Sequence, residues 1–520
     1  MNASRRDPAL FVFRHLFASV TDEMGAALQQ SAVSPNIKER LDYSCALLDA
    51  EGRLAAHAAF IPVHLGSAHS TVPAVLEELE PGPGDVVVLN DPFRGGTHLN
   101  DVTVLAPLFV AGQRVGFLLN RAHHADIGGV EPGSMSGARN LLDEGLLVSP
   151  TLLRSAGSDV ASVWQNFADH VRDPAATRGD LLAQLAALHR GQARFEDLVQ
   201  RYGVAAITRA MSSLQQHGAS FTRAMLDTWP SHAVYVEDYL DGPQSPKLAL
   251  CLQVQAGRLV LDFSGSSAQV PGSWNTHRAV TTSAVFYLLQ AMGEGSLPET
   301  SGTLEAVDLR LPAKSLVGAS FPAGVALGNV ETSQRIVDLL IAAMRELMPG
   351  KFPAASQGTM NNLLFGGQRV DGTAFVYYET LAGGAGAGPA GPGASAVQTH
   401  MTNTRNTPIE VLEDELPVRV TQLSIRRDSG GDGEFRGGDG LVKEIEFLQP
   451  VRLTVAATRR RSQPQAAGNA QPGKVGLDQV IIDGKTNLLS TADAIDIPIG
   501  GKIKIATPGG GGYSRDQSTN

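Results

Sequence analysis

Six of the thirteen histidines in this 520-residue chain, His57, His64, His69, His98, His123 and His124, fall within a window of 68 residues. Asp101 lies in the same window and Asp126 two residues beyond it. Imidazoles and carboxylates gathered this way suit a divalent metal of intermediate hardness, such as Zn or Mn. They equally suit a general base in which a carboxylate orients an imidazole. A single histidine at a polar strand end is ordinarily structural. A cluster this dense favours a site.

The elements that position these groups are readable nearby. Two apolar runs, 102–110 and 114–120, flank Ala111-Gly112-Gln113, the composition of a tight antiparallel turn. Centred on Gly112, the hairpin sets Asp101 opposite His123; a two-residue loop, Gly112-Gln113, sets it opposite His124 instead. Either register brings a carboxylate and an imidazole together with Cβ atoms roughly 5 Å apart. His98 just precedes the first strand and Asp126 just follows the second, so both can bend toward the same spot. Side chains of adjacent residues point to opposite faces at a strand end, which leaves open whether His123 or His124 faces the site. Asp42 is a carboxylate in an otherwise apolar strand. It is either the partner of Arg40 or Lys38, or a ligand or base.

Along the rest of the chain, apolar positions Leu10, Phe13, Phe17, Val20, Met24 and Leu28 predict an amphipathic helix over 8–30. Residues 41–48 predict a strand, 49–52 a turn, and Arg53 onward its return strand. A helix is expected over 70–79. A long helical region over 174–229 is capped by Asp173 or Thr177 and split at Gly203. Within it Asp180 and Gln184 share a face that either looks toward the site or, as is commoner, is solvated. Strands follow from His232, then helices at 282–292 and 334–347. Thr332-Ser333 is the expected cap of the latter, with Arg335 and Asp338 on its polar side. Residues 382–392 (AGGAGAGPAGP) read as a flexible or backbone-lined loop. The expected class is α+β and multi-domain, with glycine-rich mixed and antiparallel sheets and packed helices. The expected divisions are an N-terminal α+β domain over 1–230 carrying the hairpin, a central α+β domain over 231–400, and a β-rich, glycine-rich domain over 401–520.

A formal charge of −10 argues against a nucleic-acid backbone as main partner. Cys45 and Cys251 make no disulfide framework, which fits a reducing compartment. The N-terminal apolar run is broken by Arg14 and His15 and reads as the start of a helix rather than a signal peptide. No apolar run approaches a membrane span, so a cytoplasmic location is expected. There is no G-x-x-x-x-G-K-[ST] phosphate loop, no strand-embedded G-x-G-x-x-G and no G-x-S-x-G elbow. Nothing in the chain recognises ATP by a known motif.

Taken together, the segments NIKERLDYSCALLD (36–49), PVHLGS (62–67), NDPFRGGTHLNDVTV (90–104), RAHHADIGG (121–129) and DEGL (143–146) resemble the hydantoinase B/oxoprolinase family. DFSGSS (262–267), THMTNTRNTPIEVLE (399–413), FRGGDGLVKEIEF (435–447) and TPGGGGY (507–513) extend the resemblance nearly end to end. It implies a hydantoinase B-like fold and the B-type component of an ATP-dependent hydantoinase, 5-oxoprolinase or lactamase. It also implies a hetero-oligomer with a hydantoinase A-type subunit that binds ATP and activates the carbonyl of a cyclic amide.

By the same resemblance, positions Asp42, His98, Asp101, His123, His124 and Asp126 supply ligands and acid–base groups. The expected metal set is Asp42, Asp101 and His123, with His124 as the alternative imidazole, around Zn or Mn. The expected catalytic set is His98, His124 and Asp126. Carboxylase relatives use a further histidine beyond the HHAD-like motif. None lies between Asp126 and His170 here, which favours hydrolysis over carboxylation of a ketone. A scaffold for the A-type subunit and an ATP-independent metallohydrolase are the remaining alternatives.

Overall fold

The computed structural model describes residues 8–58, 61–64, 66–135 and 137–515; the helix-start reading of residues 1–7 lies outside them. The helix Pro8–Ser31 buries Phe17, Val20, Met24 and Leu28 completely. These are the positions the helical period singles out, and each stabilises by about 1.5–3 kcal/mol through burial. Their partners come from the helix Pro174–Tyr202, whose Leu181, Leu185 and Leu188 enter the same cluster. Asp173 is the cap of that helix, its carboxylate accepting from Ala176 N. The helix stops at Gly203, where φ is 78°, and a second helix, Val204–Leu226, begins.

Beneath these helices lies a seven-stranded antiparallel sheet. Its strands are β1 (Tyr43–Asp49), β2 (Leu54–Ala58), β3 (Val86–Leu89), β4 (Asp101–Val110), β5 (Gln113–His123), β6 (Thr151–Ser155) and β7 (Ser158–Asp159), in the order β2-β1-β5-β4-β3-β6-β7. Both faces are covered. Cys45, Leu47, Val104 and Leu118 face the long helices. Ala46, Leu48, Leu105, Phe117 and Leu119 face Val72 and Val75 of the helix Ala68–Leu76. Two-sided burial explains why these strands read as near-continuous apolar runs rather than alternating ones.

A second sheet contains β8 (Val234–Tyr239), β9 (Lys247–Gln255), β10 (Arg258–Asp262) and β11 (Val307–Arg310), with β10 and β11 parallel. The helices Arg278–Met292 and Ser333–Leu347 pack into its apolar cluster. A third sheet joins β12 (Asn362–Gln368), β13 (Ala374–Thr380), β16 (Val451–Ala456) and β19 (Ala492–Ile497), and so draws strands from both sides of residue 400. A fourth holds β14 (Val418–Arg426), β15 (Gly440–Phe447), β17 (Leu477–Ile482), β18 (Lys485–Leu488) and β20 (Lys502–Ala506). It shares a core with the third through Phe365, Tyr377, Ile445 and Ile503.

Three local expectations are decided by the structure. Residues 382–392 are the backbone-lined loop of the two readings: Gly384 N donates to Pro508 O, Ala387 N to Gly511 O, and Gly438 N to Ala385 O. A Cβ on Gly384 would stand 1.9 Å from Gly438 O, so backbone packs on backbone there. Thr332 does not cap the following helix; a π-helical turn, Gly328–Thr332, runs straight into it. Arg335 and Asp338 are buried rather than solvated. Arg335 pairs with Asp238 at 3.4 Å, and Asp338 receives Arg459 and His400, each at 3.2 Å.

Candidate active site

Asp101 and His123 are directly opposed in the β4–β5 ladder. The expected pairing forms, but by another route. The turn is the two residues Ala111-Gly112, with φ of 50° and 79°, the left-handed pair a type I′ turn requires. Alone it would slide Asp101 one residue off His123. A register shift at Leu108/Phe109 restores the pairing.

Asp101, 1% exposed, is the hub of the site. Its Oδ2 accepts from His98 Nδ1 at 2.8 Å, His64 Nε2 at 3.0 Å and Thr97 Oγ1 at 2.6 Å. Its Oδ1 faces His123 Nδ1 at 3.2 Å. Burial alone would raise its pKa, but His98, His64 and His123 together hold the carboxyl well below its usual range. A carboxylate can only accept, so each nitrogen facing it carries the proton. One side chain thereby assigns the tautomers of three imidazoles. His64 Nδ1 is left to accept from Ser44 Oγ at 3.0 Å. His98 Nε2 and His123 Nε2 are both buried with no hydrogen-bond partner. Burial also lowers the pKa of His123, which favours the neutral ring with a lone pair on that atom.

Asp42 joins the same place. The chain enters β1 through Leu41 at φ 59°, a left-handed conformation that costs a non-glycine residue roughly 1–2 kcal/mol. The Asp42 carbonyl accepts from His123 N at 3.0 Å, and its carboxylate lies 3.8 Å from Arg40. Asp42, His64, Asp101 and His123, all buried, line one small cavity of about 20 Å³, room for a single water or ion. Tyr378 stacks on His123 at 4.6 Å, and Ile61, Val63, Met360 and Met401 complete the wall. One ligand atom each from His98, Asp101 and His123 lies within 4.8 Å of the others. The Asp101 carboxylate, one imidazole with an orphaned nitrogen and Asp42 at the same cavity are a donor set that fits Zn or Mn, and the second imidazole keeps an unpartnered Nε2.

Asp126 and His124 are not brought into this cavity. The Asp126 carboxylate is taken up by Arg172 Nη1 at 2.7 Å and by the amides of Gly128, Gly133 and Arg172. His124 turns to the opposite face and meets Gln184 Oε1 through Nε2 at 3.1 Å. Both line a separate cavity of about 270 Å³ beside Asp173 and Asp180.

The sequence profile of the hydantoinase B/oxoprolinase family matches residues 7–516. The chain belongs to that family. It is 37% identical to 5-oxoprolinase 1 of Arabidopsis thaliana over 537 residues, covering 97% of this chain and 41% of that protein. The 5-oxoprolinase of Dictyostelium discoideum is likewise 37% identical, with 98% and 41% covered. The chain thus spans about two fifths of the length of these relatives. The 5-oxoprolinase of Saccharomyces cerevisiae is 35% identical, with 98% of this chain and 42% of that protein covered.

Among solved structures, the ATP-dependent caprolactamase from Pseudomonas jessenii superposes with a TM-score of 0.89 at 26% identity, covering 99% of this chain and 93% of that one. A nucleotide-free acetone carboxylase also reaches 0.89, with 98% and 76% covered, but at 17% identity it speaks to the fold alone.

Sequence patterns miss four neighbours of the site in this hydantoinase B chain. His64 stands inside the histidine cluster and in PVHLGS, so a signal for it is present. Gln184 and Asp180 read as a face turned either to the site or, as is commoner, to solvent, and both are buried, at 0% and 1% exposed. Asp180 accepts from Val33 N and Ser34 N, while Gln184 also reaches Val102 O. Tyr378 and Asn329 come from distant segments and carry no signal at all. Among the described residues no helix is long and apolar enough to cross a membrane.

Proposed function

We propose that this chain completes the ring opening of a cyclic amide, 5-oxoproline, a hydantoin or a related lactam. An A-type subunit that binds ATP would first activate the carbonyl. One observation carries the reading: a small cavity lined by the buried Asp42, Asp101 and His123, beside imidazole nitrogens with no partner. The 5-oxoprolinase relatives and the caprolactamase likeness support the same class.

Transfer of the ATP γ-phosphoryl group to the carbonyl oxygen releases ADP and makes the ring carbon electrophilic. Water adds to that carbon, the C–N bond breaks, and the ring nitrogen leaves as an amine after taking a proton. A second water converts the acyl phosphate to carboxylate and phosphate.

A divalent ion held by Asp42, Asp101 and His123 would supply Lewis acidity at the cavity. His98 is placed to act as general base. Its Nδ1–H is fixed on Asp101, so its Nε2 lone pair is free to take a proton from attacking water. The apolar wall of Ile61, Val63, Met360 and Met401 excludes bulk water. A cavity of about 20 Å³ admits one oxygen, not a ring, so the attacking water enters while the ring and its phosphorylated oxygen stay at the mouth. Asp126 and His124 support the hairpin end from behind.

The test is co-expression with an A-type ATP-binding subunit, then assay with 5-oxoproline, hydantoins and caprolactam singly. ADP release matched by ring-opened product establishes the activity. Turnover only with a ketone and bicarbonate replaces it with carboxylation. No turnover in an assembled complex leaves the chain a scaffold.

A further inference from the structure

One polar group in the cavity has no part in the chemistry above. Asn329 is 3% exposed and lines the cavity beside Asp42, Asp101 and His123. It arrives on the π-helical turn Gly328–Thr332, an irregularity that often marks functional sites. The turn is heavily anchored. Gly328 presses on Asn275, where a Cβ would stand 1.7 Å from the carbonyl oxygen. Glu331, fully buried, receives Met360 N and Asn362 Nδ2 at 2.9 Å and Thr458 Oγ1 at 2.7 Å. These contacts hold the turn irregular and keep the Asn329 side chain at the cavity.

The hydrogen bonds decide which end of the carboxamide faces inward. Nδ2 stands 3.0 Å from His98 Nδ1, while Oδ1 is buried with no partner. Yet Nδ1 carries the proton that it gives to Asp101 at 2.8 Å, so two donors face each other. Turning the carboxamide end for end leaves its shape unchanged. Oδ1 then shares the His98 Nδ1 hydrogen with Asp101, and the amide hydrogens take the unpartnered place that Oδ1 now holds, on a residue that lines the cavity.

We infer that Asn329 is a catalytic residue whose amide hydrogens hold the oxygen carried by the reacting carbon of the substrate. The inference rests on the ring-opening reading. In the second step water adds to the acyl phosphate, and its carbonyl oxygen, which came from the first water, gains the negative charge. A donor aimed at developing charge in a site closed to water is worth roughly 10²–10³ in kcat. Asn329 forms no covalent bond and neither gives up nor takes a proton.

The experiment compares Asn329→Ala and the isosteric Asn329→Asp with wild type in the assembled complex. It measures kcat, KM for the cyclic amide, bound metal and melting temperature. The expected result is a fall in kcat of roughly 10²–10³ in both variants, with KM, metal content and melting temperature near wild type. Should Asn329→Ala fail to fold, Asn329→Asp, which keeps the shape and loses the donors, decides alone. A kcat within about fivefold of wild type overturns the inference. Loss of metal in step with activity overturns it too, by making Asn329 a support of the ion. A wild-type complex that opens no cyclic amide overturns the ring-opening reading along with it.

Discussion

His64 Nε2 lies 3.0 Å from Asp101 Oδ2, and its other ring nitrogen lies 3.0 Å from Ser44 Oγ. Through this imidazole the turn Pro62–His64 and strand β1 both lock onto the carboxylate that also orients His98 and His123. Replacing Asp101 with Asn puts an amide N–H against imidazole N–H groups. Asp101→Asn is expected to lower unfolding free energy by about 2–3 kcal/mol and to empty the metal site. Urea unfolding and elemental analysis of the purified complex measure the two effects. Full metal occupancy at wild-type stability would remove Asp101 from its central place.

Asp126 differs from Asp101, because its carboxylate is fully engaged by Arg172 and backbone amides. Asp126→Asn is expected to cost about 1–3 kcal/mol of stability. Its effect on kcat should be far smaller than that of Asp101→Asn, with metal content retained. A loss of turnover as severe as at Asp101, in a protein of normal melting temperature, would return Asp126 to the chemistry.

Glu144 gives a pH signature. It is 1% exposed, and burial pushes its carboxyl from 4.5 up to about 7 against opposing bonds from Ser273 and Ala326. Below 4.5 the folded and unfolded chains both hold the proton, so its full contribution to stability is present. Between 4.5 and about 7 only the folded chain holds it, so stability falls as pH rises and then levels off. The total is roughly 3 kcal/mol. Glu144→Gln should remove this slope, so that the variant gains on wild type between about pH 5 and about pH 8. Parallel stability curves in urea would refute it.

Metal removal separates assembly from chemistry. Chelation is expected to abolish ring opening while the A-type subunit still binds ATP, and Zn or Mn should restore turnover. Turnover that survives complete removal of the ion, verified by elemental analysis, would show that the cluster works as a general-base site without one.

The legible parts of this protein are those governed by neighbours in the chain. The helical period marks Phe17, Val20, Met24 and Leu28, and Asp173 announces a cap. The glycine turn announces the hairpin and brings Asp101 within one residue of His123, because a hairpin is a local object. Even there the bulge at Leu108/Phe109 is invisible, since no residue type demands it.

Long-range packing decided the rest. Gln184 and Arg335 sit on helix faces that read as polar, and only the neighbours folded over them show that these faces are buried. His64 reaches Asp101 across 37 residues and Asn329 reaches His98 across 231. By itself, then, the sequence determined the family, the main elements and the hairpin at the heart of the site. Tertiary structure decided that His98, Asp42, His64 and Asn329 meet at that hairpin while Asp126 and His124 turn away. Burial and hydrogen-bond partners belong to the packed chain, and no local pattern encodes them.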